Sequence, residues 1–382
     1  MTGSTIPENA IKPLQGMIVI DLTRMLPGAV LARMLLDLGA RVIKIEQPYT
    51  GDIFRHAPPV IEGISCGFRA FFRGAESVCL DLGKIQDAKL LRELIRRVDV
   101  VIESFRPGTL ARWNLGPDRL MSVNPRLIIC SLTGYGQNEP WGSLPGHDLN
   151  FVAMSGLLSL TNPDRIPRTQ FSDISGSLLG CSAILAALLR RERTGQGCAI
   201  EQPLAFATLP FLAWNMAELA AGTGGVTSEV LDGSIPAYHI YTCGDGQQIA
   251  LAVLESKFWR LFLAMTGLER LAPYAWSSDD DGQQAIAQIT ARLLEEPREH
   301  WLGLAMKYKL PLSPVNDVHD ALAEPVLTET GALIDVQLST TVEAKLPGPF
   351  IPSLGCAPTS PAPHLGEHTE RVLREFGLER NI

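Results

Sequence analysis

Residues 14–48 read LQGMIVIDLTRMLPGAVLARMLLDLGARVIKIEQP, and this stretch decides the fold. Residues 17–22 (MIVIDL) are a short, nearly continuous apolar run, the signature of a strand buried on both faces. A turn at 23–28 carries Pro27 and Gly28, residues 29–38 have apolar positions at helical spacing, and Gly39 stops the helix. Residues 41–46 (RVIKIE) form a second strand. Strand, helix and strand at this length make a βαβ unit, which builds parallel sheets that bind ligands at the carboxyl ends of their strands. The first turn lacks GxGxxG, which argues against a nicotinamide or flavin cofactor.

The same alternation continues outward. Residues 48–72, rich in Pro and Gly, are expected to form a long loop over the sheet. Strands are expected at 78–82, 98–103 and 126–132, with helices at 84–97 and 117–123 between them. The most economical architecture is a doubly wound α/β domain. After the turn at 194–197 come a strand at 199–201 and an apolar helical run to Ala221. Residues 222–228 (GTGGVTS) have linker composition. Residues 238–242 and 248–253 flank Gly244-Asp245-Gly246 and predict a hairpin, followed by helices at 257–265 and 283–296. A Pro-rich segment at 347–363 precedes a last helix at 367–376, expected to pack back on the first domain.

Composition bounds the function. With 382 residues, 46% hydrophobic and 19% charged, the chain can fill two cores. A net charge of −8 argues against a nucleic-acid footprint, so phosphates on a ligand must be held by a few local arginines. Seven scattered cysteines without a CxxC pair fit reduced thiols, and no signal peptide is indicated, so a cytoplasmic location is expected. The apolar stretches 178–189 and 203–221 read as buried helices, and no membrane partner is expected. No histidine or cysteine pair has metal-ligand spacing, so no metal is expected.

Residues 145–193 concentrate the chemistry. His147 and Asp148 precede one apolar helical run, and Ser172 and Asp173 precede another. Asp148, Ser172 and Asp173 are all favoured N-cap types, and spacing alone reads them as caps. The same place suits reactive groups, because helix starts carry free N–H groups and a positive field that favours carboxylates and oxyanions. An imidazole and a carboxyl group facing each other can exchange protons with a carbon between them.

These stretches together resemble family III CoA-transferases and α-methylacyl-CoA racemases. The resemblance rests on 14–48 and on ESFRPGTLARWNLG, SLTGYGQ, GHDLNFVAMSGLLSL, FSDISG, LLRRERTGQG, LDGSIPAYHIYTCGDGQQIALAVLESKFW and LGEHTERVLREFGL. It implies a Rossmann-like, doubly wound large domain (1–222 with 330–382) and a smaller α+β domain (228–315), joined by linkers at 223–227 and 316–329. An interlocked homodimer is implied, with the acyl-CoA site between subunits and no cofactor beyond the CoA of the substrate. In the racemase branch, His147 and Asp173 are the two bases, and Glu255 and Asp148 support the histidine. Backbone N–H groups at the helix start near Asp173 are expected to hold an enolate oxygen.

Arg106, Arg24 and Arg73 are the expected contacts to CoA. The basic run that usually follows Arg73 is here Gly74-Ala75-Glu76, which leaves Arg55, Lys44 and Lys84 as substitute cations. The implied function is racemisation or epimerisation of 2-methyl-branched acyl-CoA thioesters. The alternative is a CoA-transferase in which Asp173 forms an aspartyl-CoA thioester, and a CoA-binding dimer without catalysis is a third reading. The transferase branch usually lacks the histidine at position 147, so His147 favours the racemase.

Overall fold

The computed structural model describes residues 12–161, 166–222 and 230–379. The chain divides into two units, Met1–Phe211 with Glu324–Ile382 and Leu212–Ala323.

The large unit is built on six strands: β1 (Ile18–Leu22), β2 (Arg41–Glu46), β3 (Glu76–Cys79), β4 (Val100–Glu103), β5 (Ile128–Thr133) and β6 (Cys198–Pro203). They lie in the order β3-β2-β1-β4-β5-β6, and every pairing is parallel. Val19 sits between Val42 and Val100, and Ile20 between Ile43 and Val101. The central strands are mostly apolar because both sheet faces are covered, with Asp21, Lys44 and Glu46 as buried charged exceptions near their carboxyl ends. Helices α1 (Met25–Asp37), α2 (Cys66–Phe71) and α5 (Phe171–Thr194) share one core with Val19, Val42 and Cys130. On the other face α3 (Ile85–Ile95) packs over Ile20, Ile43 and Ile129. The last helix, α10 (Thr369–Glu375), joins that second core through Val372 and Leu373. Strand order reverses between β1 and β4, which opens a crevice at their carboxyl ends, the usual ligand position in such sheets.

Between these elements run α4 (Asp148–Ser155) and α6 (Leu209–Ala220). The second unit holds an antiparallel sheet, β9-β8-β7, made of β7 (Tyr238–Thr242), β8 (Gln248–Ala252) and β9 (Leu312–Pro314). Helices α7 (Ser256–Thr266), α8 (Asp280–Leu293) and α9 (Arg298–Tyr308) cover it, with Tyr241, Phe262, Ile289 and Trp301 in its core.

Several expectations need correction. Residues 48–72 are not a plain loop: they contain a 3-10 turn at Ile53–His56, a two-stranded ribbon and α2. Their Pro and Gly content hid Phe54 and Phe68, which fill the core beside α1. Helix α9 and the hairpin β10 (Leu333–Gln337) with β11 (Glu343–Pro347) were not anticipated. Compact packing divides the chain after Phe211 and after Ala323, so α6 from Leu212 onward and Val318–Ala321 go with the small unit. The expected linker at 223–227 lies outside the described residues, and the one expected at 316–329 contains two short helices.

Candidate active site

Arg24 lies two residues past the end of β1, and Ser104, Phe105 and Arg106 follow the last residue of β4, so the reversal in strand order brings both arginines to one place. They line a cavity of about 310 Å³ whose other walls include Thr133, Gly146, His147 and Asp173. Four of the seven expected site residues thus meet in one cavity.

The β1 side of the cavity is rigidly held. Thr23 donates from its N–H and hydroxyl to Asp21 Oδ1, at 2.7 and 2.6 Å. The fully buried Lys44 ammonium reaches Thr23 O at 3.0 Å, Asp52 at 2.9 Å and Asp21 at 3.2 Å. Burial opposes its charge, but Asp21, Asp52 and Glu46 outweigh that and hold it above the usual lysine range. Gly28 is required here, because a Cβ would sit 1.7 Å from Thr23 Oγ1. The Arg24 backbone N–H donates to Ser104 Oγ at 2.9 Å and its guanidinium lies 5.2 Å from the Phe105 ring centre, which ties the two strand ends together.

His147 is the N-cap of α4, and its N–H donates to Asn150 Oδ1 at 3.0 Å. Gly146 lets the chain reach that position: a Cβ would meet Phe151 at 2.7 Å and Tyr135 Oη at 2.9 Å. The imidazole is exposed at the cavity wall.

Asp148 makes no hydrogen bond to His147 among the described residues. Its Oδ1 accepts the N–H groups of Ser172 at 2.7 Å and Asp173 at 3.1 Å, so it caps α5 from another helix. The cap expectation fails as well, because the N-cap positions belong to His147 and Gln170, neither of them the residue expected. The N–H groups expected to hold an enolate oxygen near Asp173 are therefore already engaged. Burial, and then the charge of Asp148, push the Asp173 carboxyl up to about 7. Gln170 Nε2 donates to Asp173 Oδ2 at 3.2 Å and steadies it.

The remaining expected residues lie elsewhere. Glu255 stands at the N-cap of α7 in the small unit, outside the group that the large unit brings together. Arg73 lines a different cavity, beside α2 and the β10 strand. Lys44 and Arg55 are consumed by buried carboxylates, Arg55 meeting Glu46 at 2.7 Å, while Lys84 is exposed beside Asp81. Glu76 pairs with Arg41 at 2.9 Å and Arg371 at 3.2 Å, and this acid ties the sheet edge to α10. Asn150 and Gln170 were missed by sequence reading. The capping-box spacing three residues after His147 marks Asn150, whereas nothing local marks Gln170.

The pattern that defines CoA-transferase family III matches residues 14–369. Alpha-methylacyl-CoA racemase of Homo sapiens is 30% identical over 376 residues, which cover 96% of this chain and 94% of that protein. Succinate–glutarate CoA-transferase of Agrobacterium fabrum is 31% identical over 386 residues, covering 96% of each. A CaiB/BaiF family protein from Brucella suis, solved as a crystal structure, superposes with a TM-score of 0.82 at 31% identity, over 96% of this chain and all of that one.

Proposed function

This chain belongs to CoA-transferase family III, and from that premise we propose that it racemises or epimerises 2-methyl-branched acyl-CoA thioesters. The observation that carries this reading is the meeting of His147 and Asp173 on one cavity, with the carboxyl pushed up to about 7. A general acid–base group works best when its pKa lies near the working pH. The hydrogen next to a thioester carbonyl is weakly acidic, and either group can remove it. The C–H electron pair then moves into the C–C bond and the carbonyl π pair onto oxygen, giving an enolate. The other group returns a proton to the opposite face, so the two residues exchange protonation states in each turnover. The pair must hold a single proton between them, and activity follows the titration of the pair.

With the N–H groups of Ser172 and Asp173 engaged, the donors for the enolate oxygen are the N–H groups of Asp148 and Leu149 at the start of α4. Neither has an acceptor among the described residues. The crevice lined by Leu22, Gln47 and Leu80 shares Arg24 and Phe105 with the reaction cavity. A CoA chain laid past those two residues puts its phosphates near Arg24 and Arg106, and the reaction needs no cofactor besides that CoA.

The working unit in this reading is a homodimer. Helix α6 buries only Leu212 and leaves Leu209, Phe211, Trp214, Met216 and Leu219 exposed, an apolar surface suited to a second copy. Glu255 would then support His147 within the assembled dimer.

The alternative, CoA transfer, has its own support in relatives of equal identity named for that activity. It requires Asp173 as an ionised nucleophile, and a carboxyl held near 7 spends much of its time protonated at neutral pH. Chiral analysis after incubation with a single 2-methylacyl-CoA epimer and no acceptor acid separates the two. Appearance of the other epimer with CoA ester content unchanged supports racemisation. Retention of the epimer, with CoA moving only when a free acid is added, supports transfer.

A further inference from the structure

We infer that the second large cavity of the large unit, remote in sequence from His147, is a binding site for an organic oxyanion, a carboxylate or a phosphate monoester. This goes beyond the reaction above and does not depend on it. The cavity, about 660 Å³, lies between α2, the β10 strand and the tail segment 357–362. That is the size of an ordinary small-molecule site.

Arg73 carries the argument. It is only 4% exposed, and the one hydrogen bond it makes is from Nε to Ala70 O at 3.2 Å. Its two terminal nitrogens find no acceptor among the described residues, although Arg73 lines the cavity. A guanidinium packed along its stem, with terminal nitrogens that open to a cavity and meet no acceptor, is suited to an anion. Its neighbours sharpen the point. Arg33, 2% exposed, pairs with Asp37, and Arg33 Nη1 is itself buried without an acceptor. The one carboxylate whose charge acts on Arg73 is thus already paired with Arg33. Burial and Arg33 both bring the Arg73 pKa down, to about 10, as expected of a surplus buried positive charge.

The other charged groups at the cavity are already satisfied, Asp335 by the Lys345 ammonium at 2.9 Å. Arg69 donates to Ile61 O at 3.2 Å and Leu338 O at 2.8 Å. Glu62 takes the hydroxyls of Thr340 at 2.5 Å and Thr341 at 3.1 Å, and Glu367 takes the N–H of His364 at 2.8 Å. What is missing is a planar oxyanion to accept from the Arg73 fork, whose geometry matches carboxylate and phosphate alike. Ile334, Val336 and Pro358 supply apolar wall for the rest of such a molecule.

Equilibrium dialysis of the full chain with labelled inorganic phosphate, and separately with labelled citrate, tests this, each with and without saturating CoA. The expected result is about one equivalent per chain that CoA does not displace, bound roughly tenfold or more weakly by Arg73→Gln. Arg73→Lys, which keeps the charge and loses the fork, is expected to fall between. Binding of citrate alone assigns the site to carboxylates, and binding of phosphate alone assigns it to phosphate esters. Absence of any CoA-resistant anion on the wild-type chain overturns the inference, as does equal affinity in wild type and Arg73→Gln. Neither result bears on whether the chain racemises or transfers.

Discussion

At the scale of single residues, Asp173 and Asp148 form a device in which one carboxylate caps the helix that carries the other. The unfolded chain releases the Asp173 proton near 3.8, whereas the native protein keeps it to about pH 7. Native Asp173 therefore binds the extra proton across that window, and stability falls as pH rises through it. At 1.36 kcal/mol per pKa unit the loss is on the order of 4 kcal/mol. Asp173→Asn removes this dependence. Denaturant unfolding should find the variant more stable than wild type by about 2–4 kcal/mol at pH 8 and little changed at pH 4, and parallel stability curves would contradict the account. Asp148→Asn keeps an oxygen for the Ser172 and Asp173 N–H groups but removes the charge. The pH at which α-proton exchange reaches half its maximum is expected to move down, and an unmoved profile would show that Asp148 does not act on Asp173. His147 and Asp173 were legible in the sequence because each sits just before an apolar helical run within a recognisable motif. The role of Asp148 was not, since its partners lie 24 and 25 residues away on a different helix. Arg73 misled for the opposite reason: its motif placed it with the CoA arginines, while the turn after α2 carries it to another cavity.

Among the elements, the parallel strands were legible because burial on both faces leaves runs such as VVIE and IICSLT with almost no polar interruption. Their order was not, because nothing local records that β1 lies between β2 and β4, and that order is what joins Arg24 to Arg106. The contact between α1 and the loop before it is the most sensitive joint. Gly28→Ala drives a methyl into Thr23, which is fixed by Asp21 and Lys44, and should cost about 1–3 kcal/mol in urea unfolding. Because Thr23 and Arg24 line the crevice proposed for CoA, the same variant should weaken CoA binding, and wild-type stability with wild-type affinity would refute this packing. Helix α5 is set against the sheet by small residues: a Cβ on Gly176 would lie 2.4 Å from Leu204, and Ser177 Oγ lies 2.6 Å from Pro27 O. Those small residues stood out in the sequence, but their partners on other elements did not.

For the whole molecule, two units were expected from length, and the structure divides the chain into two, with the tail returning to the first. The boundaries moved because α6, apolar except at Asn215 and Glu218, has no sequence mark that assigns it to one core. Its exposed face leads to a prediction of assembly: light scattering should give twice the 41.5 kDa chain mass, and Trp214→Glu should shift the protein toward monomer. A wild-type monomer would contradict the dimer. The central claim is two-base proton transfer at the α-carbon, and the most direct measurement follows deuterium there when one 2-methylacyl-CoA epimer is incubated in D2O without acceptor acid. Incorporation together with the opposite epimer is expected, and a loss of exchange on at least one face of about 100-fold or more in His147→Ala. Absence of deuterium at the α-carbon, with CoA moving only when a free carboxylic acid is supplied, would contradict it.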